Sequence, residues 1–307
     1  MSAPSLRLGT RGSALARWQA DWVSARLTER GVAVEMVLIS TRGDQQQQGP
    51  IASLEGGQGV FTKELQNALL DGRIDLAVHS LKDLPTDEVA GLSLAAVPER
   101  GPVGDVLVGV AFSDLPEGAV VGTGSLRRRA QLLHARPDLK MADLRGNVDT
   151  RLKKLEAGDY KAIVLAEAGL VRLGFDAKIT ERLPLSLCVP AVGQGALGIE
   201  TRNDDGAARG ALAALDHPAT HAAATAERAL LAALRGGCLA PVGAWGRVTG
   251  DGLLHLTGVV LSPDGKKRIE STYTAEAAEA HDLGERVAEA LIAGGATAMI
   301  AQGRSSK

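Results

Sequence analysis

Aromatic residues are scarce in this chain: Phe, Trp and Tyr together fill 3% of 307 positions. That excludes an extended ring surface for stacking single-stranded nucleic acid and an aromatic-lined pocket. Cysteine is nearly absent. Cys188 and Cys238 are the whole supply, too few for a disulfide framework, and the expected compartment is the cytoplasm. No apolar run approaches the length of a membrane span. Met1 to Leu8 lacks the basic-then-apolar layout of a secretion signal. A net charge of −2 gives no global pull toward nucleic acid or a membrane surface. There is no Walker motif, and Gly56-Gly57-Gln58-Gly59 lacks the strand and spacing of a dinucleotide fingerprint. What remains is an ordinary globular composition, 45% hydrophobic and 23% charged, long enough for two or three domains.

The first two thirds alternate apolar runs with helical patterns, which predicts an α/β fold with mainly parallel sheets. Leu6 to Thr10 reads as a strand. A helix follows from Ser13 with Leu15, Trp18, Trp22 and Ala25 on one stripe. Val34 to Ile39 and Ile74 to His79 are the next strands, separated by a helix from Thr62 to Leu70. Residues 41–59, with Gln45 to Gln48, show no periodicity and read as a mobile loop. Pro98 to Pro102 and Pro190 to Gly195 are breaks that bracket a second unit with strands at Asp105–Val110, Val120–Val121, Met141–Leu144 and Ala162–Leu165. Ala196 to Ile199 is one more strand. Two breaks around a similar unit predict two lobes joined by two crossings, with a cleft between them. From Asp216 the pattern changes: a helix capped by Asp216, three strands at Val242–Val248, Leu253–Leu261 and Arg268–Tyr273, and a last helix at Ala275–Ala293. The expected domains are 1–97 with 196–214, 102–190, and a small antiparallel α+β domain over 216–307.

Chemistry concentrates where strands end. His79-Ser80-Leu81-Lys82-Asp83-Leu84-Pro85 puts a charged pair at the carboxyl end of an apolar strand, the edge where ligands bind in open α/β sheets. Lys82 and Asp83 are solvated loop charges or, in that place, a candidate catalytic carboxylate and its cation. Gly122-Thr123-Gly124-Ser125-Leu126-Arg127-Arg128-Arg129 follows a second strand and opens a helix, so Ser125 can cap it and the free N–H groups attract an anion. A cationic triplet there opposes the helix dipole and predicts a compensating anion. The same layout recurs at Thr10-Arg11-Gly12-Ser13 and at Leu144-Arg145-Gly146-Asn147-Val148-Asp149-Thr150-Arg151, and Arg172 follows Ala166 to Leu170. Four basic sites at strand ends suit a ligand with several carboxylates. Gly236-Gly237-Cys238 exposes a thiol in a loop before Pro241, with no histidine near in sequence, which leaves a covalent anchor and a turnover nucleophile both open. Cys188, inside Leu185 to Val189, reads as a buried apolar residue. His217 and His221 lack further metal ligands and read as surface helix residues; no metal is expected.

Together these motifs, with Phe61-Thr62-Lys63-Glu64-Leu65 and Pro190-Ala191-Val192-Gly193-Gln194-Gly195, resemble the porphobilinogen deaminase family from Leu6 to Trp245. The resemblance implies two lobes like those of periplasmic binding proteins plus a third domain. It implies a transferase of tetrapyrrole biosynthesis that joins four porphobilinogen molecules into hydroxymethylbilane and releases ammonia. It also implies a dipyrromethane cofactor on a thioether to Cys238. Asp83 matches the catalytic carboxylate. Lys82, Asp83, Thr123, Ser125, Arg127, Arg128 and Arg145 match cofactor binders; Arg11, Ser13, Phe61, Arg145, Arg151, Arg172 and Gln194 match substrate binders. Gln58 stands where the family commonly has Lys. Expected partners are the small-molecule substrate alone, with no nucleic acid or membrane, and a monomer is expected. Two other readings share parts of the pattern: a non-catalytic two-lobed binder of an anionic metabolite, and a nucleic-acid binder using Arg127 to Arg129.

Overall fold

The computed structural model describes residues 5–40, 62–237 and 240–305. The chain forms two compact units, Met1–Arg100 with Ala196–His221 and Gly101–Gly195 with Ala222–Lys307.

The first unit is built on β1 (Leu6–Thr10), β2 (Val34–Leu38), β3 (Leu76–Ser80), β4 (Leu92–Ala96) and the tenth strand of the chain, β10 (Leu197–Arg202). Their order is β2-β1-β3-β10-β4. β1 pairs in parallel with β2 and β3, while β10 runs antiparallel to both β3 and β4. Four strands therefore share one direction and β10 alone is reversed. Helix α1 (Ala14–Thr28) covers one face, where Val23 and Leu27 meet Leu8, Leu76, Val78, Leu197 and Ile199. Helix α2 (Lys63–Leu70) covers the other, with Leu65 and Leu69 against Ile74 and Ala77. Each fully buried Leu, Ile or Val contributes about 1.5–3 kcal/mol. The face of α1 differs from the expected stripe: Gln19, Ala20, Val23 and Leu27 are buried and Ala25 is exposed. The reason is partly polar, because the buried Gln19 bonds a group at the strand ends.

Asp75, just before β3, ties the base of this unit. Its carboxylate accepts from Arg7 N (2.9 Å), Nε (3.0 Å) and Nη2 (2.7 Å) and from Arg202 Nη2 (2.8 Å). Burial alone pushes this carboxyl up; the Arg7 and Arg202 bonds outweigh it and hold it at about 2 against an ordinary 3.8. A depressed carboxyl stabilises the fold above its unfolded pKa and stops doing so as pH falls through the folded value. Asp75→Asn is thus expected to cost about 2 kcal/mol at pH 7, and the gap to the wild type should shrink between pH 4 and pH 2 in denaturant titrations.

The second unit repeats the sheet. It uses β5 (Asp105–Gly109), β6 (Val120–Gly122), β7 (Lys140–Ala142), β8 (Ala162–Ala166) and β9 (Glu181–Arg182), in the order β7-β6-β8-β5-β9. β6 is parallel to β7 and β8, and β5 is antiparallel to β8 and β9. In both sheets the reversed strand sits between the third and fourth parallel strands. Helices α3 (Leu126–Ala135), α4 (Val148–Glu156) and α5 (Glu167–Arg172) complete the connections. The same unit holds a three-stranded antiparallel sheet, β11 (Val242–Val248), β12 (Leu253–Leu261) and β13 (Arg268–Glu276), in sequential order. Ala226 and Leu230 of the Pro218–Ala233 segment, and Leu234 just after it, pack there with Leu254, Leu256 and Val260.

Among the described residues, the strands β4 and β9, the helix α6 (Gly206–Ala213) and a terminal helix at Ala296–Ser305 went unread in the sequence. With α7 taken as Pro218–Ala233 and α8 as Ala280–Ala293, that terminal helix is α9. The expected helix from Ala275 starts later because Ala275 and Glu276 still pair in β13. Asp216 does not cap α7. Its carboxylate accepts from Val97 N (2.8 Å) and contacts His221 Nδ1 (2.7 Å), while His217 Nδ1 accepts from Thr220 N (3.2 Å). These contacts account for both histidines. Among the described residues no helix is long and apolar enough to cross a membrane.

Candidate active site

In the first unit the strand ends gather one pocket. Gly12 and Ser13 break β1, and Ser13 Oγ accepts from Ala16 N (3.3 Å) as the N-cap of α1. β3 ends at Ser80, and Leu81–Asp83 form a single 3₁₀ turn stopped before Pro85. The pocket of about 70 Å³ is lined by Arg11, Ser13, Gln19, Thr62, His79, Ser80 and Asp83 with apolar neighbours. It is far smaller than the roughly 300–1,000 Å³ of a whole-ligand site, so it suits one group of a ligand. Asp83 is exposed and Lys82 half-buried. Four polar lining residues, Gln19, Thr62, His79 and Ser80, had no assigned role in the sequence reading. Gln19 Nε2 donates to Ser80 Oγ (2.8 Å), which fixes α1 to the end of β3. His79 Nε2 lies 2.9 Å from Glu200 Oε2, in ion-pair range though without hydrogen-bond alignment. Gln66 Nε2 of α2 reaches both Glu200 oxygens (3.1 and 3.2 Å). The register explains the meeting, since Gly198 faces His79 and Glu200 faces Ala77. Gln19 carried one legible signal, a polar residue on an otherwise apolar helix face.

In the second unit two residues of the arginine triplet are not a solvated face, while Arg129 is exposed. Arg127 is 3% exposed, Arg128 6% and Asp105 0%. Arg127 Nη1 donates to Asp105 Oδ2 (2.7 Å) and to the Val189 carbonyl (2.6 Å). Arg128 donates to Asp105 Oδ1 through Nε (2.9 Å) and Nη2 (2.7 Å), and to the Val164 carbonyl (3.1 Å). The compensating anion predicted from the sequence is therefore present, in part, as a protein carboxylate. Burial pushes Asp105 up, and the two guanidiniums more than reverse this, holding it far below the usual carboxylate range. Cys188 Sγ donates to Asp105 Oδ2 (3.3 Å). Burial and then Asp105 push that thiol up to about 12, so it stays neutral. Cys188 is buried as expected, in an apolar cluster with Leu107, Leu132 and Leu183, and its sulfur also meets Asp105, Arg127 and Gln131.

The other sequence-read residues of this unit sit on the turns. Ser125 Oγ accepts from Arg128 N (3.4 Å) and Thr123 Oγ1 from Ser125 N (3.2 Å), so both hydroxyls shape the start of α3. Gly124 is needed between them: a Cβ would lie 2.9 Å from the Leu144 carbonyl. Asn147 rather than an arginine caps α4. Arg151 Nε donates to Gly146 O (2.7 Å), and Arg145 is 3.6 Å from Asp143. Burial brings the Arg172 guanidinium down to about 10, and its Nη2 donates to Gly195 O (2.7 Å). Gln194 Nε2 donates to Val103 O (2.8 Å), Gly104 O (3.2 Å) and Asp105 Oδ1 (2.9 Å). Gly195 has φ +85°, and a Cβ there would meet the Pro102 and Gly101 carbonyls at 2.6 and 2.8 Å. Gly195→Ala combines left-handed strain with overlap and is expected to cost at least about 2 kcal/mol, read as a lowered Tm.

Arg11, Ser13, Lys82 and Asp83 thus fall in the first unit, and Thr123, Ser125, Arg127, Arg128, Arg145, Arg151, Arg172 and Gln194 in the second. Gln58, Phe61, Cys238 and the loop 41–59 lie outside the described residues. α7 leads toward the thiol: after Ala233 the backbone turns left-handed at Arg235 (φ +50°) and again at Gly237 (φ +64°). A larger open groove of about 600 Å³, along His134, Lys266, Lys267, Arg268 and Glu270, contains none of these residues.

A carboxylate held at a strand end beside basic side chains marks an α/β enzyme acting on an anionic small molecule. The comparisons give the family. Residues 6–210 match the porphobilinogen deaminase, dipyromethane cofactor binding domain, and residues 221–293 match the porphobilinogen deaminase C-terminal domain. Porphobilinogen deaminases of Geobacter metallireducens and Geotalea daltonii are each 48% identical over 98% of this chain and 96% of their own. That of Trichlorobacter lovleyi is 47% identical over 98% and 97%. A periplasmic substrate-binding protein of an ABC transporter from Coxiella burnetii aligns with 69% of this chain and 92% of its own, at 16% identity and a TM-score of 0.44. The chain belongs to the porphobilinogen deaminase family. Its activity is that of a transferase of tetrapyrrole biosynthesis, and its cofactor is dipyrromethane.

The described residues fit a cofactor that carries carboxylates. Arg127 and Arg128 outnumber Asp105, and Arg127 Nε is buried without a hydrogen-bond acceptor.

Proposed function

We propose that Asp83 is the catalytic group, with Arg11 and Ser13 binding substrate beside it, and that Cys238 anchors the cofactor. The observation that carries this is the single pocket in which Asp83 lies with Arg11, Ser13 and Ser80. When bound, the dipyrromethane supplies the free pyrrole α-carbon from which the chain grows. The substrate's aminomethyl group, protonated as ammonium, loses its C–N bond with both electrons leaving on nitrogen as ammonia, and a cation remains on the pyrrolylmethyl carbon. Asp83 opposes that positive charge, and its exposed carboxylate is open to the pyrrole N–H. The α-carbon that the bound cofactor would supply gives up one proton for the new C–C bond, and Asp83 would take that proton.

Lys82, Thr123, Ser125, Arg127, Arg128 and Arg145 hold the cofactor in this reading, and Arg145, Arg151, Arg172, Phe61 and Gln194 hold the growing chain. Rigid turns support the assignment: Ser13 and Asn147 cap the helices that follow Arg11 and Arg145, and Ser125 caps the helix that carries Arg127 and Arg128. The reading keeps three domains, 1–97 with 196–214, 102–190 and 216–307, the last carrying the thiol. It places the enzyme in the cytoplasm as a monomer, with porphobilinogen and no nucleic acid as partner. A net charge of −2 and a neutral, buried Cys188 support this.

Trypsin after Arg235 and Arg247 isolates Gly236–Arg247 with its one cysteine. In active protein that peptide should be heavier by two pyrrole units. An unmodified peptide from fully active enzyme would remove Cys238 from the reading.

A further inference from the structure

We propose that Asp105 is a positioning residue for a carboxylate subsite: it holds Arg127 and Arg128 with one negative charge and leaves one positive charge for one carboxylate of the ligand. The inference rests on the cofactor reading above. It concerns a residue that the sequence showed only as the first position of a strand.

The geometry is a two-to-one cluster. Asp105 Oδ2 accepts from Arg127, and Oδ1 accepts from Arg128 twice and from Gln194. Both guanidiniums also donate to carbonyls, at Val189 and Val164, which carry no net charge. The remaining contact of Asp105, Cys188, is a donor thiol and hence neutral. Gln131 closes the far side, its Nε2 on the Val189 carbonyl (3.0 Å) and its Oε1 accepting from Val189 N (2.8 Å). Two cations and one anion leave a charge of +1. All three side chains are more than nine-tenths buried, where an uncompensated charge is strongly unfavourable. A second carboxylate removes the imbalance, and Arg127 Nε is a buried donor still without an acceptor. Ser125 and Thr123 open α3 directly before these arginines, so the helix N-terminus adds to the attraction.

The alternative is that Asp105 only cements the fold. Three full-length variants separate the two. Asp105→Asn removes the clamp. Cys188→Asp adds a carboxylate beside Arg127, cancels the excess charge and leaves Asp105 in place. Cys188→Asn has the same shape without the charge. Cofactor-free protein is fed porphobilinogen, adduct acquisition is followed by intact mass, and Tm is measured alongside. Asp105→Asn and Cys188→Asp are each expected to acquire the adduct at least tenfold more slowly than the wild type, and Cys188→Asn at a rate near it. Acquisition by Cys188→Asp at the Cys188→Asn rate would overturn the charge count. Wild-type speed in a folded Asp105→Asn would overturn the positioning role. If Asp105→Asn does not fold, the Cys188 pair decides. A wild type that never gains an adduct would instead refute the cofactor reading itself.

Discussion

Asp83→Asn is expected to lower kcat about a thousandfold while the protein keeps its fold and its covalent adduct. The replacement is nearly isosteric and the site is exposed, so stability should move by no more than about 0.5 kcal/mol. What changes is the charge. A fixed anion beside a developing cation acts through electrostatic stabilisation, and removing one such preorganised group costs about 10²–10³ in rate. Proton transfer by the same carboxylate contributes about 10²–10⁴. The two roles belong to one side chain, so they do not add in full. KM should change far less than kcat, because Arg11 and Ser13 remain to bind the substrate. Asp83→Glu restores the charge one methylene out of place and should recover only part of the rate. Single-turnover kinetics with intact-mass control checks all three statements. An Asn variant within tenfold of the wild type would take Asp83 out of the chemistry.

The placement of Asp83 was readable because local signals agreed. An apolar strand, a charged pair and Pro85 point to a strand end, and the first pocket forms there. The strands Val242–Val248 and Leu253–Leu261 were readable for the same reason, with Ser262-Pro263-Asp264-Gly265 marking the turn that follows. What escaped was non-local. Asp105 meets Arg127 across 22 positions and Gln194 across 89, and no periodicity links them. Glu200 meets His79 through the register of an antiparallel pair, which no strand pattern specifies before the sheet order is known. On α1 the two indoles, Trp18 and Trp22, drew the expected stripe one position aside. Their polar-tipped rings sit half-buried at the margin, and the core is made by the smaller Ala20, Val23 and Leu27.

Cys238→Ser should abolish turnover completely and yield protein whose mass equals its sequence. The reason lies in the difference between the two thiols. A thioether forms when sulfur, as thiolate, bonds the pyrrolylmethyl carbon and its proton is released to solvent; thiolate is the reactive form. Cys188 is unsuited to that step, being fully buried and pushed up to about 12. Cys188→Ser is therefore expected to retain its adduct. In the sequence Cys238 follows Gly236 and Gly237, past a left-handed turn at Arg235. A serine hydroxyl at the same place keeps the size but lacks the low pKa and the nucleophilicity of sulfur. The fold should survive, since the cluster of Leu230, Leu254 and Leu256 draws most of its buried side chains from α7, the β11–β13 sheet, α8 and α9. Tm should nonetheless fall, because the Asp105 cluster then keeps its excess positive charge without a ligand carboxylate to meet it. A Cys238→Ser protein that still carries two pyrrole units, or still turns over porphobilinogen, would show that the primer is held elsewhere.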